Sequence, residues 1–226
     1  MKISVHSLFC SNMNERIVNS HSSVMKHFDI DVQYTHANVR HGLWMDHVIL
    51  SQDSDVFVFS DIDCVPLNRE VYDKAIEYVS KHDTFIGPGQ ASNHIHPKSH
   101  VFASPAFFFI TKSCYERLGN PTFAETQRSD VAEEVSYVAE EKGQRYRCWY
   151  PTLFDDVPVE GVWRLSNYGF YGIGTIFGTS VYHLYQSRFN KNVELFERRC
   201  SQIVNNSFDK SGMMNTLDTY EGRVVD

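Results

Sequence analysis

The sequence predicts an α/β fold, built as one domain with a mostly parallel central sheet flanked by helices. Three observations lead there. The first is a run of four apolar residues, Val56-Phe-Val-Phe59, with no polar alternation and only β-branched or aromatic members. A strand buried on both faces, as in the middle of a parallel sheet, has this composition. The second is order. Before that run stand a strand, a helix, a strand and a helix, the β-α-β-α-β succession of a parallel sheet. The third is size: 226 residues, 42% of them hydrophobic, with no stretch of linker composition. That is enough chain for one substantial core.

The elements follow in order. Residues 2–9 form the first strand, through Ile3, Val5 and Leu8. Asn14 caps a helix whose stripe is Ile17, Val24, Met25 and Phe28, with His21 on the same face. A strand over 30–34 leads through the polar loop 36–42 to a short helix over 43–52. Beyond Pro66 a helix spans 69–81, with Val71, Tyr72, Ala75, Ile76 and Val79 aligned. A short strand over 84–86 ends at Gly87-Pro-Gly-Gln90. Residues 101–110 are a second strongly apolar segment, followed by a short helix over 113–118 closed by Gly119. A helix over 130–142 aligns Val131, Val135 and Val138 and ends at Gly143. A strand over 146–154, tight turns in the Gly- and aromatic-rich region 161–178, a short strand over 181–185 and a helix over 190–204 complete the domain. Periodicity fades from Asn205, so residues 1–204 are expected as the folded domain. Residues 205–226 are expected as a small C-terminal extension, loop or partly disordered.

Composition excludes several function classes. A net charge of −7 leaves no basic excess to neutralise phosphates, which argues against general nucleic-acid binding. The five cysteines, Cys10, Cys64, Cys114, Cys148 and Cys200, are odd in number, widely spaced and without a Cys-x-x-Cys. They are neither a disulfide framework nor a zinc site, and reduced thiols in a cytoplasmic protein are the natural reading. The N-terminus is too polar for a signal peptide, and no run reaches the length of a membrane span.

Immediately after the apolar run stand Asp61 and Asp63. In open α/β sheets ligands bind just beyond the carboxyl ends of the strands. Residues i and i+2 of an extended chain point the same way, so both carboxylates can reach one hard cation such as Mg²⁺ or Mn²⁺. An Asp-x-Asp also occurs as a solvated turn. A buried strand ending in two acids, however, is costly to keep without a partner.

With Asp61-Ile-Asp63 go the apolar segment 101–110, the acidic Asp130-Val-Ala-Glu133-Glu134 and Val181-Tyr-His183-Leu. Together they resemble the nucleotide-sugar-dependent glycosyltransferases of the GT-A fold, a pattern covering roughly residues 1–190. The resemblance implies a GT-A-like domain that moves a sugar from a nucleoside diphosphate sugar to a glycan or other hydroxyl acceptor, with Mn²⁺ or Mg²⁺. It places the metal on Asp61, Asp63 and His183. It places the nucleotide against Val5, His6, Asn38, Arg40 and Ile62, with Arg188 and Lys191 at the diphosphate. A general base for the acceptor hydroxyl falls among Asp130, Glu133 and Glu134. Asp130 is equally a good N-cap, with Glu133 completing a capping-box-like pair. Arg188 and Lys191 are equally solvated helix-start charges, and His183 is one of 11 histidines. Many relatives have a small-residue–Gly step in the acceptor-side segment, where this chain has Ser104-Pro105-Ala106.

His94, His96 and His100 form a His-rich loop, expected to be exposed. The Gly172-Ile-Gly174-Thr-Ile-Phe-Gly178 run lacks dinucleotide-fingerprint spacing and is expected to make tight turns. A rival resemblance is to the haloacid-dehalogenase-like phosphohydrolases. There Asp61 would be the nucleophile and Asp63 the acid/base, with Thr111, Lys142 and Asp155-Asp156 as later motifs. About two βα units precede the acid pair, where that family usually opens with this strand. A non-catalytic nucleotide-sugar-binding module is the third class, and the intact acid pair weighs against it.

Overall fold

The computed structural model describes residues 1–92, 100–218 and 220–225. Its first half alternates as the sequence predicts: β1 (Ile3–Phe9), α1 (Glu15–His27), β2 (Val32–His36), α2 (His41–Ser51) and β3 (Val56–Ser60). The Asn14 side chain accepts from the Arg16 amide and so caps α1. β4 (Cys64–Pro66), α3 (Arg69–His82), β5 (Phe85–Ala91), β6 (Val101–Ala103), β7 (Phe107–Thr111), α4 (Lys112–Arg117) and α5 (Glu133–Glu141) follow. The last third is β8 (Arg147–Trp149), β9 (Pro151–Asp156), β10 (Val162–Arg164), β11 (Phe170–Tyr171), β12 (Ile173–Phe177), β13 (Val181–His183), α6 (Asn190–Val204), β14 (Met214–Asn215) and β15 (Val224–Val225). Among the described residues no helix is long and apolar enough to cross a membrane.

The main sheet has the order β2-β1-β3-β7-β5-β6, with β8 also on β5. β1, β2, β3, β5 and β8 run one way, and β6 and β7 run against them. The fold is therefore mixed α/β with a mostly parallel central sheet. β3 is buried along its whole length. Val56 and Val58 pack with α3 and Met25 of α1 on one face, while Phe57 and Phe59 pack with α2, α4 and α5 on the other.

A second, antiparallel sheet has the order β14-β9-β12-β13-β4. It packs its apolar face on α1 and α6. β4 starts one residue after Asp63, so the chain leaves the main sheet and joins the second at the acid pair. Among the described residues a small third sheet, β11-β10-β15, closes the edge.

Several elements depart from expectation. β5 does not end at Gly87 but runs on through Gly87-Pro-Gly-Gln90 to Ala91, and 146–154 divides into β8 and β9. Residues 101–110 are not one strand. They run along β5 as β6 and then β7, and the register slips across Ser104-Pro105-Ala106, where proline cannot donate to the ladder. α5 begins at Glu133, not Asp130: Ala132 precedes it with φ +66°, and the Glu133 side chain turns back to accept from the Asp130 amide at 2.6 Å. The expected turns of 161–178 contain the strand β12. Gly174 there has φ +67°, and any side chain would meet Asp155 and the Tyr182 hydroxyl. Beyond Val204 the chain is tied back: β14 pairs with β9, β15 pairs with β10, and Thr216 is fully buried.

Candidate metal and nucleotide site

Asp61 lies just past the carboxyl end of β3, and its amide donates to the Ala106 carbonyl at 2.9 Å. The slipped segment between β6 and β7 thus holds the start of the acid loop. Ile62 turns inward, 4% exposed, and anchors the loop in the core shared with α1 and α6. Antiparallel pairing then sets His183 opposite Cys64, and the Leu184 amide donates to the Asp63 carbonyl at 2.9 Å. This register carries His183 to the acids. Its Nε2 lies 3.4 Å from Asp63 Oδ1 and 4.0 Å from Asp61 Oδ2. One ligand atom from each of the three lies within 4.8 Å of the others. The Asp61 side chain is 26% exposed and that of His183 7%, so the cluster opens to solvent on the Asp61 side.

The electrostatics push the two carboxylates apart. Burial drives the Asp61 carboxyl above its ordinary range, and the neighbouring Asp63 charge adds to this against His41 and His183. Burial acts on Asp63 in the same direction, but hydrogen bonds from His183 and Ser187 outweigh it and hold Asp63 low. Burial, with both acids, pushes the Cys64 thiol well up, so it stays a neutral packing group. Two carboxylates and an imidazole form a donor set for a divalent cation of the Mn²⁺ or Mg²⁺ type. His183 Nδ1 is buried with no partner among the described residues, and the ring is held by its contact with Tyr185.

Several supporting residues carry no motif in the sequence. His41, first residue of α2, faces Asp61 from the other side, with Nε2 3.7 Å from Oδ1. Gly42 lets α2 lie there, because a Cβ would strike the backbone of Phe123 and Ala124. Beneath the acids, His21 of α1 bridges Tyr34 (2.9 Å) and Ser60 (3.1 Å), and Ser60 donates to the Cys64 carbonyl at 3.2 Å. Tyr185 packs its ring on His183, with centroids 4.0 Å apart. His41 and His21 are two histidines among many, and Ser187 and Tyr185 lie in an unpatterned connection, so only the fold singles them out.

The remaining expected site residues divide. Val5 and His6 are 3% and 2% exposed, and their side chains are turned into the core. His6 packs among Trp44, Phe57 and Phe59, and burial holds its pKa down at about 4. Neither offers its side chain to a ligand. Asn38 binds the Ser11 amide (3.0 Å) and hydroxyl, joining the loops after β1 and β2. Arg40 pairs with Glu125 at 2.9 Å, and Lys191 pairs with Asp156 at 3.3 Å. Arg188 is exposed and has no polar partner among the described residues.

Of the three acids expected near the acceptor, Glu133 is 1% exposed and bound to His100 Nδ1 at 2.7 Å as well as to the Asp130 amide. Glu134 is held by Arg128 on the surface. Asp130 accepts from the Val131 amide at 2.8 Å. Its charge reaches Tyr171, whose ring lies 5.4 Å from that of Tyr185. His100 is not an exposed loop residue. It stacks on Tyr137 at 3.8 Å and binds Glu140 at 3.2 Å, and although burial works against it, the two carboxylates raise its pKa. His94 and His96 lie outside the described residues.

The phosphohydrolase constellation is dispersed. Thr111 pairs with Val56, the first residue of β3, at the opposite end of the strand from Asp61, and β7 is antiparallel to β3. Lys142 donates to the Leu118 carbonyl at 2.8 Å, and Asp155 is buried against Arg199 and Tyr182.

No protein-family model matches the sequence, and comparison with curated proteins returned no match. Solved structures of similar shape exist at low identity. The chain is similar to the mannosyltransferase PcManGT from Pyrobaculum calidifontis in complex with GDP-Man and Mn²⁺, at 9% identity and TM-score 0.47, over 65% of this chain and 54% of that one. It is similar to a Drosophila β1,4-galactosyltransferase 7 in complex with manganese, UDP-Gal and xylobiose, at 12% identity and TM-score 0.41, over 64% of each chain. It is also similar to the bifunctional IspDF from Campylobacter jejuni, at 11% identity and TM-score 0.40, over 66% of this chain and 49% of that one. The matched region spans about half of the IspDF and mannosyltransferase chains. Scores of this size carry no argument about activity, which rests on the site.

Proposed function

We propose that the chain is a metal-dependent glycosyltransferase of GT-A-like fold, moving a sugar from a nucleoside diphosphate sugar to a hydroxyl acceptor. One observation carries the reading: Asp61, Asp63 and His183 converge within 4.8 Å just beyond the carboxyl end of the buried strand β3. These three would hold a Mn²⁺ or Mg²⁺ ion, and the imidazole favours Mn²⁺. When bound, the ion supplies charge neutralisation for the departing diphosphate. His41 and Ser187 orient the two acids from either side. Arg188, with no polar partner among the described residues, is the cation available to the diphosphate, whereas Lys191 and Arg40 are already paired. Asp130 takes the acceptor's proton, its charge reaching Tyr171, whose ring lies 5.4 Å from that of Tyr185 beside His183. The catalytic unit is residues 1–204, to which β14 and β15 of the following segment are paired. Five unpaired thiols accord with work in the cytoplasm.

The test is a thermal-shift panel of nucleoside diphosphates with and without Mn²⁺. At a ligand concentration of about 100 Kd, binding adds about 2.7 kcal/mol, or roughly 5–10 °C in a domain of this size. Asp63→Ala should abolish the Mn²⁺-dependent part and leave the metal-free melting cooperative. A variant that responds as the wild type does overturns the metal assignment. Turnover should release nucleoside diphosphate from a nucleotide sugar. Release of inorganic phosphate from simple esters, with no use of any nucleotide sugar, overturns the transferase.

A further inference from the structure

Tyr185 stands beside the candidate metal ligands with a hydroxyl that nothing among the described residues uses. Its ring lies 4.0 Å from the His183 ring, 5.3 Å from Trp163 and 5.4 Å from Tyr171. The hydroxyl oxygen is buried and has no hydrogen-bond partner among the described residues. The buried Tyr182 hydroxyl is placed differently: it donates to Asp155 Oδ2 at 2.8 Å. A buried phenol without a partner is uncommon, because taking it out of water is unfavourable unless a hydrogen bond replaces the lost one. The ring has hydrophobic neighbours enough to hold it in place without the hydroxyl.

The neighbourhood limits what the hydroxyl can serve. A phenolic hydroxyl carries a proton of its own and can donate it to an oxygen placed beside it. The direct metal ligands already face one another through His183 Nε2. Tyr185 lies against that ring, Tyr171 lies 5.4 Å from Tyr185, and the Asp130 charge reaches Tyr171. In the proposed reaction the group lying between the metal-bound diphosphate and the acceptor base is the transferred sugar.

We propose that Tyr185 reads the donor sugar, its hydroxyl donating to a sugar oxygen. This rests on the glycosyltransferase reading and adds a specificity residue to it. A residue that binds the sugar but not the nucleotide has a signature that a structural tyrosine lacks. In Tyr185→Phe, the metal-free protein should melt at the wild-type temperature or slightly above, because an unpartnered buried hydroxyl has been removed. Its affinity for UDP and GDP with Mn²⁺ should be unchanged. Its affinity for the matching nucleotide sugar should fall roughly three- to tenfold, the size of one lost hydrogen bond.

The experiment is titration calorimetry with Mn²⁺ on wild type and Tyr185→Phe. The probes are UDP, GDP, UDP-glucose, UDP-galactose, UDP-N-acetylglucosamine and GDP-mannose. Loss confined to a nucleotide sugar supports the proposal. Equal loss for diphosphate and nucleotide sugar places the hydroxyl on the phosphates and overturns it, as does unchanged affinity for both or a clear drop in metal-free melting temperature. A wild type that binds none of the nucleotide sugars, nor UDP or GDP, overturns the glycosyltransferase reading itself and the sugar contact with it. A wild type that binds them while the variant is unaffected overturns the Tyr185 assignment alone.

Discussion

Replacing His21 should flatten the acid limb of the protein's stability. His21 is fully buried in α1, with its ring nitrogens on the Tyr34 and Ser60 hydroxyls. Burial lowers its pKa from 6.5 to about 4, and the Asp63 charge, pulling upward, does not cancel this. Between these two values the unfolded ring takes a proton that the folded ring refuses. Its stabilising effect is thus complete above pH 6.5 and is lost as pH falls toward 4. The slope is about 1.36 kcal/mol per pH unit in mid-range, and the loss reaches the order of 3 kcal/mol by pH 4. His6, lowered to about 4 by the same cause, adds a similar amount. Together they remove a large part of the 5–15 kcal/mol typical of a folded domain. Urea unfolding followed by circular dichroism at pH 7, 6, 5 and 4.5 measures this. His21→Gln keeps a donor and an acceptor for the two hydroxyls. It should start less stable at pH 7 and lose stability more shallowly below pH 6.5, by about 1.36 kcal/mol per unit. Identical slopes in the two proteins would refute a neutral buried ring at this position.

Two further perturbations probe the frame around the site. Arg199→Met strands the Asp155 carboxylate, whose pair with Arg199 is more than nine-tenths buried and which also accepts from Tyr182. It should cost about 3–5 kcal/mol, and adding Asp155→Leu should recover part of that, since the uncompensated charge is what destabilises. Melting temperatures of both variants decide it, and a single variant as stable as the wild type would contradict the buried pair. Gly42→Ala places a methyl against the Phe123 and Ala124 backbone, so the start of α2 must shift. A loss of about 1–3 kcal/mol in urea unfolding is expected, together with a smaller Mn²⁺-dependent nucleotide response as His41 moves off Asp61. Wild-type values for both would mean that α2 is not held there.

The parts legible in the sequence were those whose cause is local. Four unalternating apolar residues mark β3 because both its faces are covered, and the acids after it fall where an α/β sheet binds ligands. β4 was not legible. Cys64-Val-Pro66 is too short to show a period, and its partner is the distant segment 181–183. The Asp130–Glu133 pair is half a capping box: the Glu133 carboxylate takes the Asp130 amide, but the Asp130 carboxylate accepts from Val131, and Ala132 at φ +66° delays the helix to Glu133. Glycines in 172–178 suggested turns. Gly172 and Gly174 are needed because β9 and Tyr182 approach β12 too closely for a side chain. His41, Ser187 and Tyr185 were invisible because what distinguishes them is which atoms lie next to the acids.

The pairing of β4 with β13 has a bearing on how the site comes into being. Asp63 and His183 close a loop of about 120 residues, and closing such a loop is entropically unfavourable. Here that expense falls on a backbone ladder, Cys64 with His183 and Pro66 with Val181, and on the Leu184 amide meeting the Asp63 carbonyl. The three candidate ligand atoms are therefore gathered without any ion. Under the proposed metal role, an incoming cation would find a finished seat, and its binding strength would report coordination chemistry with little folding mixed in. During synthesis the same pairing makes the acid pair wait: the residues of the first sheet emerge early, yet the seat is completed only when the strand bearing His183 has left the ribosome and docked.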